Sequence, residues 1–274
     1  MSKILICILL CLTAALPAAG QGIANSSVSG NAINLTVSLP GGLGGDVTLS
    51  FEDVAGLSLA NLGISAQVVN PSDPTLLARL QGATVPSGLP VLLRIEPPAA
   101  GGLAFHGIAT LEVHTHNLEY VTGCPLRIFS APLGGPFKDI TVSMGAGSYR
   151  ARGSTGGFSE FLIVSDPRPV NQVITAKLDR LDQMLDDYAA LTPGSLYADL
   201  EERLEDIRAD YARGATAEAI QGVDGFLAAV QQHAGTDIPN LWRSARDAQN
   251  VAGYLRAGAM TLRFSLVLKN GPGL

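Results

Sequence analysis

Residues 158–185 read FSEFLIVSDPRPVNQVITAKLDRLDQML, and the character of the chain changes in the middle of them. Up to Val164 the run is aromatic and β-branched, the composition of a buried strand. Beyond Asp166-Pro167, the residues Val170, Val173, Ile174, Leu178, Leu181 and Leu185 recur at three- and four-residue intervals, which is the stripe of an amphipathic helix. The two periods predict an α+β protein in two parts, with β structure before Ser165 and helices after it.

Toward the N-terminus the strand period repeats. Ile33, Leu35, Val37 and Leu39 alternate with Asn34, Thr36 and Ser38, so one face is buried and the other wet. Val47, Leu49 and Phe51 resume the pattern after Gly41 to Gly45, read as a hairpin turn. Val91, Leu93 and Ile95 do so again before Pro97-Pro98 ends the run. Further strands are expected at 64–69, 108–115, 126–129, 140–144 and 158–164, with Gly145 to Gly153 as a second glycine-rich hairpin turn. Short strands at this spacing predict an antiparallel β-sandwich over residues 21–165.

Toward the C-terminus, Leu191-Thr192-Pro193-Gly194 stops the first helix and Ser195 is the expected cap of the second, which carries Leu196, Leu200, Leu204, Ile207 and Tyr211. Thr216 opens a third through Ile220, Val223, Phe226, Leu227 and Val230. A fourth is expected after Pro239-Asn240, completing a small bundle over 166–258. The acidic run from Asp199 to Asp210 is interleaved with arginines and lacks a calcium-loop glycine, so it reads as a mixed-charge solvated face. From Met260 to Leu268 apolar and other residues alternate again. That pattern predicts a C-terminal strand over 259–270 returning to the sandwich, with a continued helix as the alternative.

The N-terminus has Met1-Ser2-Lys3, an apolar run from Ile4 to Leu16, and Ala18-Ala19-Gly20. This order predicts a signal peptide over residues 1–20, cleaved before Gln21, and hence export to the periplasm or the medium. No later segment is apolar for long enough to predict a membrane span in the mature chain. Of the three cysteines only Cys124 would remain, so neither an internal disulfide nor a cysteine metal cage is expected. The net charge of −6 and the dispersed basic residues argue against nucleic acid as a partner.

The candidate chemistry is sparse. Glu112, His114 and His116 would share one face of a strand and form a ligand set for zinc, with His106 or Asp139 as a further ligand if the fold brings one near. The same three residues also read as the solvated face opposite Leu111 and Val113. Tyr120 and Tyr149 are the aromatic candidates for a carbohydrate platform, because the single tryptophan, Trp242, falls in the helical part. Gly157-Phe158-Ser159-Glu160-Phe161 lacks the second glycine of a nucleophile elbow, and Cys124 reads as a small core residue. No cofactor is called for.

Gly214-Ala215-Thr216-Ala217-Glu218-Ala219-Ile220, followed by Val223, Phe226, Val230, Gly235 and Ile238, resembles the bacterial FIMAH domain, a helical module of exported and surface proteins. The β part, with Leu89-Pro90-Val91, Arg94-Ile95-Glu96-Pro97 and His114-Thr115-His116-Asn117-Leu118, is similar to secreted proteobacterial proteins with no assigned function. The resemblance implies an envelope accessory role. The expected function is therefore an exported, non-catalytic structural or interaction protein with a protein or glycan partner. A carbohydrate-binding module and a metal-dependent hydrolase using Glu112, His114 and His116 are the alternatives.

Overall fold

The computed structural model describes residues 22–121, 123–145 and 147–271, and the expected signal peptide, residues 1–20, lies outside them. The β part begins with β1 (Ile23–Ser29), β2 (Ala32–Leu39) and β3 (Leu43–Ala55), then α1 (Leu59–Leu62), β4 (Ile64–Val68), α2 (Pro74–Arg79) and β5 (Val91–Ile95). It continues with β6 (Ala104–Tyr120), β7 (Leu126–Ala131), β8 (Lys138–Asp139), β9 (Thr141–Gly145), β10 (Gly147–Thr155) and β11 (Glu160–Ser165). The helical part holds α3 (Val170–Asp187), α4 (Gly194–Ala212), α5 (Thr216–His233), the short strand β12 (Leu241–Arg243) and α6 (Val251–Asn270).

Two antiparallel sheets face each other. The larger has the order β1-β2-β3-β6-β10-β9 with β12 pairing the start of β6, and the smaller has the order β4-β5-β11-β7-β8. Alternate side chains meet between them, with Leu35, Leu49, Leu111 and Ala151 from one sheet and Ile64, Leu93, Ile128 and Ile163 from the other. Each large side chain buried there contributes roughly 1.5–3 kcal/mol. The smaller sheet is covered on its other face as well, where Leu92, Phe129, Leu162 and Val164 pack on Leu76 and Leu80 around α2 and on Phe137. This explains why Phe161 to Val164 is continuously apolar, since a strand covered on both sides has no wet face.

The segment from Gly145 to Gly153 is mostly strand rather than turn. Its residues from Gly147 onward form β10, paired with β6 on one side and β9 on the other. Glycine at 153 is favoured by packing here, because a Cβ would lie 2.6 Å from Ile140 Cδ1, just before β9. Ser195 lies inside α4, whose N-cap position is Pro193, and no fourth helix starts at residue 241. Instead β12 joins the larger sheet, and Trp242 stacks on Phe105 with ring centroids 5.3 Å apart, in the sandwich core rather than the bundle.

Residues 259–269 are helix, not strand. They are the last turns of α6, which is buried on two sides. Val251, Leu255, Ala259, Leu262 and Leu266 face Ile174, Leu181, Val223 and Phe226 of the bundle core. Gly253, Thr261 and Ser265 are also buried, and polar contacts of Gly253's neighbour Asn250 and of Thr261 reach the β part. A helix covered on two faces loses its single apolar stripe, and the sequence then imitates a period of two.

Polar anchors fasten α6 to the sandwich. Asn250, fully buried, accepts from Gly253 N at 3.0 Å as the helix cap and donates to Gly107 O at 2.6 Å and Gly156 O at 3.1 Å. Gly107 sits at φ +73° in a bulge of β6, which turns its carbonyl toward the helix. Arg256 forms a two-pronged pair with Glu52 on β3, both contacts at 2.7 Å. Thr261 Oγ1 donates to Thr141 O at 3.0 Å. Among the described residues no helix is long and apolar enough to cross a membrane.

Candidate functional site

Where the bundle meets the end of the sandwich, a cleft of about 430 Å³ remains between them. Its floor is the link from β10 to β11, Ser154 to Ser159. Thr155 Oγ1 donates to Gly157 O at 2.7 Å and accepts from Gly157 N at 3.2 Å, which closes the link into a tight turn. Glycine is required there, since a Cβ on Gly156 would lie 2.5 Å from Tyr254 N. One wall is α6, through Tyr254, Ala257, Gly258 and Thr261, and the other is formed by residues 130–138 with Glu96.

The cleft is basic in a chain that is acidic overall. Arg180 of α3 and Lys138 of β8 both line it, and among the described residues no carboxylate oxygen lies within 4.0 Å of either cationic group. Burial pushes the Arg180 guanidinium below its ordinary pKa. Burial lowers Lys138 too, and the neighbouring charge of Arg180 lowers it further. Arg246 lies 3.7 Å from Glu96 and 4.9 Å above the Trp242 ring. Ser159 Oγ donates to the same Glu96 at 3.0 Å. The fully buried Ser154 Oγ has no hydrogen-bond partner among the described residues and lines the cleft. Tyr254 stacks on Tyr188 with centroids 6.2 Å apart, and burial raises its pKa.

The residues singled out from the sequence lie elsewhere. Glu112, His114 and His116 do share the wet face of β6, and the two imidazole rings are 5.0 Å apart. Glu112, however, is paired with Arg152 and lies 3.6 Å from Arg150, both on β10. His116 Nδ1 sits 2.7 Å from Ser148 Oγ. His106 pairs with Asp53 at 3.0 Å, and Asp139 is buried against Lys177, so neither joins the set. Among the described residues no three His, Cys, Asp or Glu side chains are gathered to hold a metal ion.

Tyr149 is wholly buried between the sheets, with Tyr120 partly buried at the margin of the same core, so the pair does not form an exposed platform. Register placed Tyr149 inward with Ala151, a fact that pairing and not composition decides. The cleft residues Lys138, Ser154, Arg180 and Arg246 carry little sequence signal. Lys177 and Arg180 lie three apart beside the apolar stripe of α3, and that spacing is the single cue available.

A two-sheet antiparallel sandwich bearing a four-helix bundle, with a basic cleft at their junction, defines the class of this α+β protein. The chain belongs to DUF6689, a family of unknown function whose model matches residues 7–269. The match runs across both parts, so sandwich and helices are one family unit. No curated protein matches the chain.

Proposed function

We propose that this is an exported, non-catalytic binding protein of the cell envelope or the surrounding medium, with the cleft between sandwich and bundle as its ligand seat. The carrying observation is the cleft itself. It is walled by several separate segments and floored by a glycine turn, and none of the four histidines lines it. Concave sites at the junction of two packed parts are the usual place for small ligands. Export is supported by the order of residues 1–20, and the likeness of residues 214–238 to FIMAH modules supports an accessory role among envelope proteins.

The test is a ligand screen on the secreted chain by thermal shift, with hits mapped on the backbone amides. The reading expects a mature N-terminus at Gln21 and ligands that perturb Ser154 to Gly157 without being converted. Retention in the cytoplasm with residues 1–20 intact, or turnover of a bound compound, overturns it.

A further inference from the structure

Arg180 and the exposed Lys138 both line the cleft with no ion pair within 4.0 Å among the described residues, although the charges of Asp139 and Asp187 reach them, in a chain of net charge −6. Elsewhere in the molecule several partly covered arginines have carboxylate partners: Arg79 and Arg94 share Glu160, Arg168 has Asp166, and Arg256 has Glu52, whereas Arg127 is held by the carbonyls of Cys124 and Leu126. Lys177, the buried neighbour of Arg180 on α3, has Asp139 at 2.6 Å. Arg180 and Lys138 alone among these face the cleft, and among the described residues no acid is within ion-pair distance of them. The one carboxylate of the cleft wall, Glu96, is engaged by Ser159 and Arg246.

The fully buried Ser154 hydroxyl is a second, independent pointer. Leaving such a group without a hydrogen bond is costly, and Ser154 is one of the residues that line the cleft. We propose that the cleft binds the oxyanion group of a small organic molecule, a phosphate or carboxylate, with Arg180 as the forked donor, Lys138 as the second charge and Ser154 as the hydroxyl donor. A guanidinium suits such a group because its planar N–H pairs match two oxygens at once. The anion would remove the repulsion between Arg180 and Lys138 and satisfy Ser154 in one step. A cleft of about 430 Å³ has room for a small metabolite beyond the anionic group, in contact with Tyr254 and the Gly156-Gly157 turn.

This inference rests on the reading of the cleft as a ligand seat, and the test separates the two. The full mature chain, labelled with nitrogen-15, is titrated with inorganic phosphate and with acetate against sodium chloride at equal ionic strength, and in a parallel arm with uncharged fragments. Saturable shifts at Ser154, Gly156, Gly157 and the Arg180 Nε–H are expected with phosphate or acetate, weakened about tenfold or more in Arg180→Gln. Phosphate acting alone assigns a phosphorylated ligand, and acetate acting alone a carboxylated one. Because Arg180 has no ion pair within 4.0 Å to lose among the described residues and its burial disfavours the charge, Arg180→Gln should unfold at about the same temperature as the natural chain. Shifts that chloride reproduces, or that survive Arg180→Gln unchanged, overturn the anion assignment. Uncharged fragments seated at these amides where phosphate and acetate are not would overturn it while leaving the ligand seat intact, and silence from every probe would remove both.

Discussion

The Nζ of Lys177 on α3 lies 2.6 Å from Oδ2 of Asp139 on β8, with both side chains almost completely buried, so an ion pair joins the bundle to the sandwich. The ammonium also donates to Thr261 O at 3.0 Å and to Ser265 Oγ at 2.9 Å on α6, and Asp139 accepts from Thr141 N at 2.8 Å. Three elements therefore meet at one charge. Such a pair gains little over well-packed apolar side chains, because desolvation offsets most of the attraction, but breaking it leaves a bare charge in the interior.

Lys177→Met is accordingly expected to destabilise the protein by about 3–5 kcal/mol. The double variant Lys177→Met with Asp139→Leu should recover most of that loss. Urea unfolding of the two variants checks both halves of the expectation, and equal losses in both would assign the effect to packing instead.

Stability should fall in acid. Burial acts to raise the pKa of Asp139, but the charge and hydrogen bond of Lys177 outweigh it and hold the carboxyl below its ordinary range. Glu160 is held low in the same way, against its burial, by Arg94 and Arg79. Groups with lowered pKa bind fewer protons folded than unfolded. Their contribution is complete above the unfolded carboxylate range near pH 4 and drains as the pH falls through the folded values. Urea midpoints measured from pH 7 down to pH 3 should be level to about pH 5 and then drop, more shallowly in the Glu160→Gln variant.

The glycine turn under the cleft should not tolerate a methyl group. A Cβ on Gly156 would meet Tyr254 N at 2.5 Å, a backbone atom at the start of α6 that cannot rotate away. Gly156→Ala is expected to cost about 1–3 kcal/mol. Gly194→Ala is the control, since a Cβ there has nothing within 4 Å and opens α4 with a better helix former. Thermal unfolding should separate the two variants in opposite directions.

Asn250→Ala removes the α6 cap and strips Gly107 and Gly156 of a donor, for an expected loss of about 2–3 kcal/mol. Hydrogen exchange should show the first turn of α6 and the Ser154 to Gly157 link opening together. Faster exchange confined to the helix would mean that the link is held by other contacts.

Much of this architecture was legible in the chain. The alternation through Ile33 to Leu39 gave β2 to within a residue, and the stripe from Val170 to Leu185 gave α3. Local pattern succeeded where one face of an element is buried and the other is wet. It failed at α6, which is buried on two faces, and at β10, where Gly153, which looks like a turn residue, answers to the side chain of Ile140. Trp242 failed for a third reason, since ten residues that resemble a helix start contain a three-residue strand whose partner is the distant Phe105 segment.

The site divides in the same way. Glu112, His114 and His116 were rightly placed on one strand face, because period two is a local property of the backbone. Whether they could act together depended on Arg150 and Arg152, which register brings alongside. The position and type of most elements, and the face each buries, follow from interactions within a few residues and are therefore written locally in the chain. Packing alone sets Lys177 against Asp139 while leaving Arg180, three residues on, without an ion pair within 4.0 Å among the described residues. Charges are matched or left unmatched by residues far apart in the chain, and only packing brings those together.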